Sequence, residues 1–143
     1  MLRFLPWCLT RRKYSPRYLR QAFVKIDRSM VCGKLYLNRT VSISTLAKES
    51  SLTKEAVRQC LQRRGLSFTQ YVDSFRIQEA VIRIAQMGRG DRNLTSVAHN
   101  CGFTSLRSLN YRCVKTLGVS AWVLLQRHID ATRNTGPGLR PPE

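Results

Sequence analysis

One pattern is laid down twice in this chain. Ala47 recurs as Ala98, 51 residues on, and the residues around it keep their roles. Ser42 corresponds to Asn93, Ile43 to Leu94, Leu46 to Val97, Ser51 to Gly102, Leu52 to Phe103 and Thr53 to Thr104. One residue is inserted after the turn, so Val57 matches Leu109 and Leu61 matches Cys113. A second insertion brings Gly65-Leu66-Ser67 onto Gly118-Val119-Ser120. The order is the same each time: cap, short helix, turn, cap, longer helix, glycine stop, serine. A repeat of this kind requires two copies of one supersecondary unit, so the chain is read as a pair of small helical bodies.

Each position in the repeat has a local cause. Ser42 and Asn93 can accept hydrogen bonds from the free N–H groups of a first helical turn. Ile43, Leu46 and Ala47, like Leu94, Val97 and Ala98, have one-face helical spacing. The alanines are small where a second helix must pass close. Gly102 takes a positive φ at the corner cheaply, and Ser51 does so at somewhat greater cost. Leu52 and Phe103 turn the corner inward, and Thr53 and Thr104 are expected to cap the helix that follows. Val57 with Leu61, and Leu109 with Cys113, are i, i+4 pairs for its buried side. Gly65 and Gly118 end it. Two helices joined at a small residue in this way make a helix-turn-helix. The two units span residues 42–65 and 93–118.

Between the copies, Ser67 and Gln70 have capping-box spacing. Tyr71, Val72, Phe75, Ala80, Ile84 and Met87 then recur at helical intervals up to Gly88. The spacing predicts a linker helix over 68–87, roughly 30 Å long at 1.5 Å per residue. Its aromatic stripe reads as core, and it holds no cofactor box.

Charge narrows the function. The net charge is +17 and the sequence pI is about 10.9, which points to a polyanion, nucleic acid before an anionic membrane surface. Hydrophobic residues at 43% exclude a compositionally disordered chain. The five cysteines, Cys8, Cys32, Cys60, Cys101 and Cys113, are odd in number and form no C-x-x-C pair. That excludes a disulfide framework and zinc-finger spacing, and His99 with Cys101 and Cys113 matches no ligand pattern. Cys60, Cys101 and Cys113 fall where helices need small hydrophobes. No segment approaches eighteen apolar residues, so a membrane span is not expected. The opening MLRFLPWCLTRRK has a short apolar run, Pro6 inside it and no small-residue cleavage site, so it is not read as a signal peptide. With two histidines, no phosphate loop and no nucleophile–base set, an enzyme is not expected, nor is any cofactor or metal.

Taken together, these residues resemble the DNA-binding domain of AraC/XylS-type bacterial transcription regulators. The resemblance covers residues 42–127. It rests on the G-x-S-F-x-x-Y join from Gly65 to Tyr71, on Arg76 and Ala80 in the linker, on the A-x-x-C-G-F corner ending at Phe103, and on Gly118-Val119-Ser120. It implies an all-α fold with two helix-turn-helix subdomains on a long linker helix. It also implies two recognition helices set into adjacent major-groove segments, which recur about every 34 Å along one face of the duplex. The chain departs from the pattern at Ala121, where proline is usual, and at Leu109 and Cys113, where aromatics are usual.

The first recognition helix, Thr53 to Arg64, would turn Lys54, Glu55, Arg58, Gln59 and Gln62 outward to base edges. Arg58 suits guanine, Gln59 adenine, and Glu55 can accept from cytosine. The second would present Arg107, Asn110 and Tyr111 to base edges. Arg63, Arg64, Arg112 and Lys115 are expected on phosphates, which position a protein without reading sequence.

Ten basic residues lie within 1–40, against Asp27 as the one acid there. A basic arm is expected over 1–21 and the DNA-binding domain over 22–128. Leu19, Phe23, Ile26, Met30 and Leu37 supply a leading helix that Gly33 kinks or splits. The tail 129–143, ending NTGPGLRPPE, is turn-prone. The expected protein is a cytoplasmic, nucleoid-associated bacterial regulator whose partners are double-stranded DNA and RNA polymerase, with no membrane. The sequence leaves its oligomeric state open. A shortened interaction protein with weak DNA readout is the alternative, and an RNA-binding adaptor lacks the expected module signatures.

Overall fold

A computed structural model describes residues 14–134. The outer part of the expected basic arm, Cys8 and the 135–143 tail lie outside the described residues. Among the described residues the protein is all-α: seven helices, a 3-10 turn and no strand. The helices are α1 (Pro16–Cys32), α2 (Ile43–Glu49), α3 (Lys54–Arg63), α4 (Phe68–Ala85), α5 (Leu94–Asn100), α6 (Leu106–Leu117) and α7 (Ala121–Asn134); the 3-10 turn is Leu35–Leu37. They form two compact units. Among the described residues, one takes Tyr14–Gly33 and Ser42–Phe68, and the other takes Lys34–Val41 and Thr69–Asn134.

In the first unit, α1 packs on α2 and α3. Ser15 caps α1 by accepting from the Tyr18 N–H at 3.2 Å, and Pro16 sits in the first turn, where its missing N–H is harmless. The helix therefore begins at Pro16, inside the span assigned to a basic arm. Leu19, Ala22, Ile26 and Met30 are buried along one stripe, and Gly33 ends the helix instead of kinking it. From α3, Val57, Cys60 and Leu61 complete the core. The Cys60 thiol donates to the Leu19 carbonyl at 3.4 Å, and burial pushes its pKa up.

In the second unit, Ile77, Ala80 and Ile84 of α4 share a core with Leu94, Val97, Ala98, Cys101, Phe103, Leu109, Cys113, Ala121 and Leu125. Cys101 and Cys113 are fully enclosed, and burial pushes the Cys101 thiol up to about 11. Both act as small apolar residues. The linker helix stops at Ala85, two residues short of the 68–87 expectation. There the chain tightens, with the Met87 N–H bonding the Ile84 carbonyl at 3.2 Å. At the other end α7 reaches Asn134, past the boundary expected at 128.

Arg76 ties the 34–41 segment to this unit. Its Nε donates to the Tyr36 carbonyl at 2.7 Å and a terminal nitrogen donates to the Asn38 carbonyl at 2.8 Å. Tyr36 stacks on Phe75 with ring centroids 5.7 Å apart, and its hydroxyl donates to Glu79 at 3.4 Å. Burial first, and Glu79 second, push the Tyr36 hydroxyl pKa up.

Candidate nucleic-acid interface

Both corners of the repeat are built as helix-turn-helix joins. Ser42 accepts from Thr45 N–H at 3.2 Å and Asn93 from Ser96 N–H at 3.0 Å, so α2 and α5 start alike. The corner residues take positive φ, +55° at Ser51 and +87° at Gly102. In each, the next N–H turns back on the short helix: Leu52 to the Ala47 carbonyl at 2.9 Å, Phe103 to the Ala98 carbonyl at 3.0 Å. The second helices then differ. Thr53 caps α3, accepting from Ala56 N–H at 3.1 Å. Thr104 does not cap α6: Ser105 does, accepting from Ser108 N–H at 3.1 Å. The residue inserted after the second turn moves the cap along by one.

On α3, Ala56, Val57, Cys60 and Leu61 face the core, which leaves Glu55, Arg58 and Gln62 on the opposite side at i, i+3, i+7. All three are exposed, as is Lys54, and Gln59 is half-buried beside them. Glu55 accepts from Gln59 Nε2 at 3.1 Å and pairs with Arg58 at 4.0 Å. An exposed pair of that length is weak, worth less than about 1 kcal/mol, so it arranges Arg58 without holding it back from another partner. Arg63 is exposed at the end of the helix, whereas the Arg64 guanidinium lies 3.5 Å above the Phe23 ring.

On α6, Leu109 and Cys113 face inward, and the opposite ridge is Arg107, Tyr111 and Val114 at i, i+4, i+7. Arg107, Tyr111 and Lys115 are exposed, as expected. Asn110 and Arg112 are engaged elsewhere. Asn110 is half-buried and its Oδ1 accepts the Ala121 N–H at 3.0 Å. Arg112 Nε lies 3.0 Å from Oδ2 of the buried Asp73, an oxygen that receives no aligned hydrogen bond, so the contact is one of charge. A second cation, Arg76, stands 3.8 Å from Oδ1. Burial raises the Asp73 pKa, and the two guanidiniums oppose that rise. Sequence reasoning passed over Val114, although it lies one ridge step beyond Arg107 and Tyr111. It also passed over Asp73, an acid set directly after an apolar pair.

The Asn110 contact explains how alanine stands at position 121. Ala121 is the first residue of α7 and is fully buried, so its N–H needs a partner. Proline there would have no N–H to satisfy. Asn110→Ala is therefore expected to cost about 1–2 kcal/mol in the native chain. In an Ala121→Pro background the same change is expected to cost little. Urea melts of the four proteins measure the difference, and equal costs in both backgrounds would contradict this role.

A family model of a helix-turn-helix domain, of the AraC type, matches residues 46–127. Comparisons with curated proteins and with solved structures each returned no match. The match spans both repeat units and α4 between them, over the same stretch in which capped corners leave α3 and α6 with one buried and one open face. The chain belongs to the AraC-type helix-turn-helix family, a family of DNA-binding transcription-regulator domains and not an enzyme family.

Proposed function

We propose that this protein is a sequence-specific regulator that inserts α3 and α6 into adjacent major-groove segments of one duplex, acting at promoters in the bacterial cytoplasm, where it meets RNA polymerase. The observation that carries this reading is the open face of α3. Glu55, Arg58 and Gln62 form a solvent-facing ridge, with Gln59 at its edge, and between them they offer the donors and acceptors that distinguish base pairs in the major groove. Lys54 extends that ridge at the start of the helix as a further base contact, and Arg63 stands at its end, where a phosphate would lie. With 18 residues, α4 is roughly 27 Å long, of the scale that separates successive grooves on one face. No described helix is long and apolar enough to cross a membrane.

Arg58→Ala is expected to weaken binding by about 1–3 kcal/mol and to relax preference at one base position. Fluorescence anisotropy titrations on a bound duplex and its single-base variants would measure this. A loss of equal size on every sequence would assign Arg58 to the backbone instead.

A second reading, an interaction protein with weak DNA readout, draws support from α6. Two of its five expected contacts, Asn110 and Arg112, are held by Ala121 and Asp73. That reading expects Arg58→Ala to leave DNA binding nearly unchanged.

A further inference from the structure

The open faces of α3 and α6 differ in chemistry. The α3 ridge is wholly polar, whereas the α6 ridge carries one guanidinium and two apolar side chains. Tyr111 is 55% exposed and Val114 is 52% exposed, one turn apart on the side away from the core. Neither supports the fold of its unit, since Leu109 and Cys113 do that from the opposite face. The surroundings of this apolar pair are cationic. Lys115 lies 5.6 Å from the Tyr111 ring and Arg107 precedes it by one turn; Arg112, at the same distance from the ring, is paired with Asp73. Apolar groups ringed by cations suit a surface that is itself apolar in the middle and anionic at its edges. In a major groove the apolar feature is the C5-methyl group of thymine, and phosphates form the edges.

We propose that α6 reads its half-site through thymine methyl groups, with Tyr111 and Val114 as the specificity-determining side chains. α3 reads its half-site through hydrogen bonds. The inference rests on the DNA-reading role proposed above for both helices. Asn110 and Arg112 leave α6 few polar readers because they serve the fold, and the apolar pair supplies discrimination without them. The two half-sites should therefore respond differently to loss of a methyl group that leaves every hydrogen-bonding edge unchanged.

Replacing thymine by uracil makes that change. In a duplex selected by the full-length protein, each thymine would be replaced singly and affinity measured by anisotropy. Replacement at one or two positions in one box is expected to weaken binding about three- to fivefold each, the worth of one buried methyl. Tyr111→Ala and Val114→Ser, which removes both methyl groups of the valine, are expected to abolish that sensitivity, while Arg58→Ala leaves it intact. Both altered side chains are exposed, so thermal melts should match the native chain; Tyr111→Phe, which keeps the ring, should keep the sensitivity and covers a failure of the alanine variant. If uracil is tolerated throughout a duplex that is still bound selectively, methyl readout is overturned and the regulator reading stands. If no selective duplex emerges, both fall.

Discussion

Arg76→Ala is expected to destabilise the protein by about 3–5 kcal/mol, the larger of two stability losses centred on one small region. The side chain is 13% exposed and makes two short bonds to backbone carbonyls, at 2.7 and 2.8 Å. Charge-assisted bonds of this kind contribute roughly 1.5–3 kcal/mol each, and their loss leaves the part-buried Tyr36 carbonyl without this partner, while the exposed Asn38 carbonyl can turn to water. The variant also removes one of the two cations beside Asp73, whose burial already disfavours its charge. Arg76→Lys should recover less than half of the loss, because an ammonium cannot reproduce the fork that spans Tyr36 and Asn38. Urea denaturation followed by circular dichroism measures both variants. A loss below about 1 kcal/mol for the alanine variant would show that the 34–41 segment holds its place without this residue.

Gly102→Ala is expected to cost about 3–4 kcal/mol. The residue sits at φ +87°, a region that costs an L side chain roughly 1–2 kcal/mol. A Cβ there would also lie 2.8 Å from the Tyr36 carbonyl oxygen and 2.9 Å from that of Leu37. Backbone atoms cannot swing aside as a flexible side chain can, so the 34–41 segment or the corner must move. Gly65 offers a control. Its φ is +68°, yet nothing lies within 4 Å of its Cβ position. Gly65→Ala should therefore lose only the conformational part, about 1–2 kcal/mol. Equal losses at the two glycines would mean that the carbonyl contacts contribute nothing.

These sites show what the sequence made legible. The corner glycine and the serine in its place could be read directly, because the φ preference of one residue is a local property. The same holds for the caps at Ser42, Thr53 and Asn93 and for the buried stripes, whose causes lie within a few residues. The cap of α6 was misplaced at Thr104, since Thr104 and Ser105 are both capping residues and only the geometry of the turn chooses between them. What Gly102 faces could not be read, because Tyr36 lies far away in sequence and meets the corner only in the fold. Asn110 and Arg112 are the same kind of case. On a helical wheel both are surface polar residues, and their partners, Ala121 and Asp73, are set by tertiary packing. Val114 went unseen for the opposite reason, since an exposed valine looks like core until its helix is placed.

The function proposed for this protein has α3 and α6 reading one duplex together. Selection of bound duplexes from a random pool at physiological salt, followed by sequencing, tests it most directly. One motif with two distinct boxes, their centres one helical turn (~10 base pairs) apart, is the expected result. A single box, or diffuse enrichment with no motif, would contradict it.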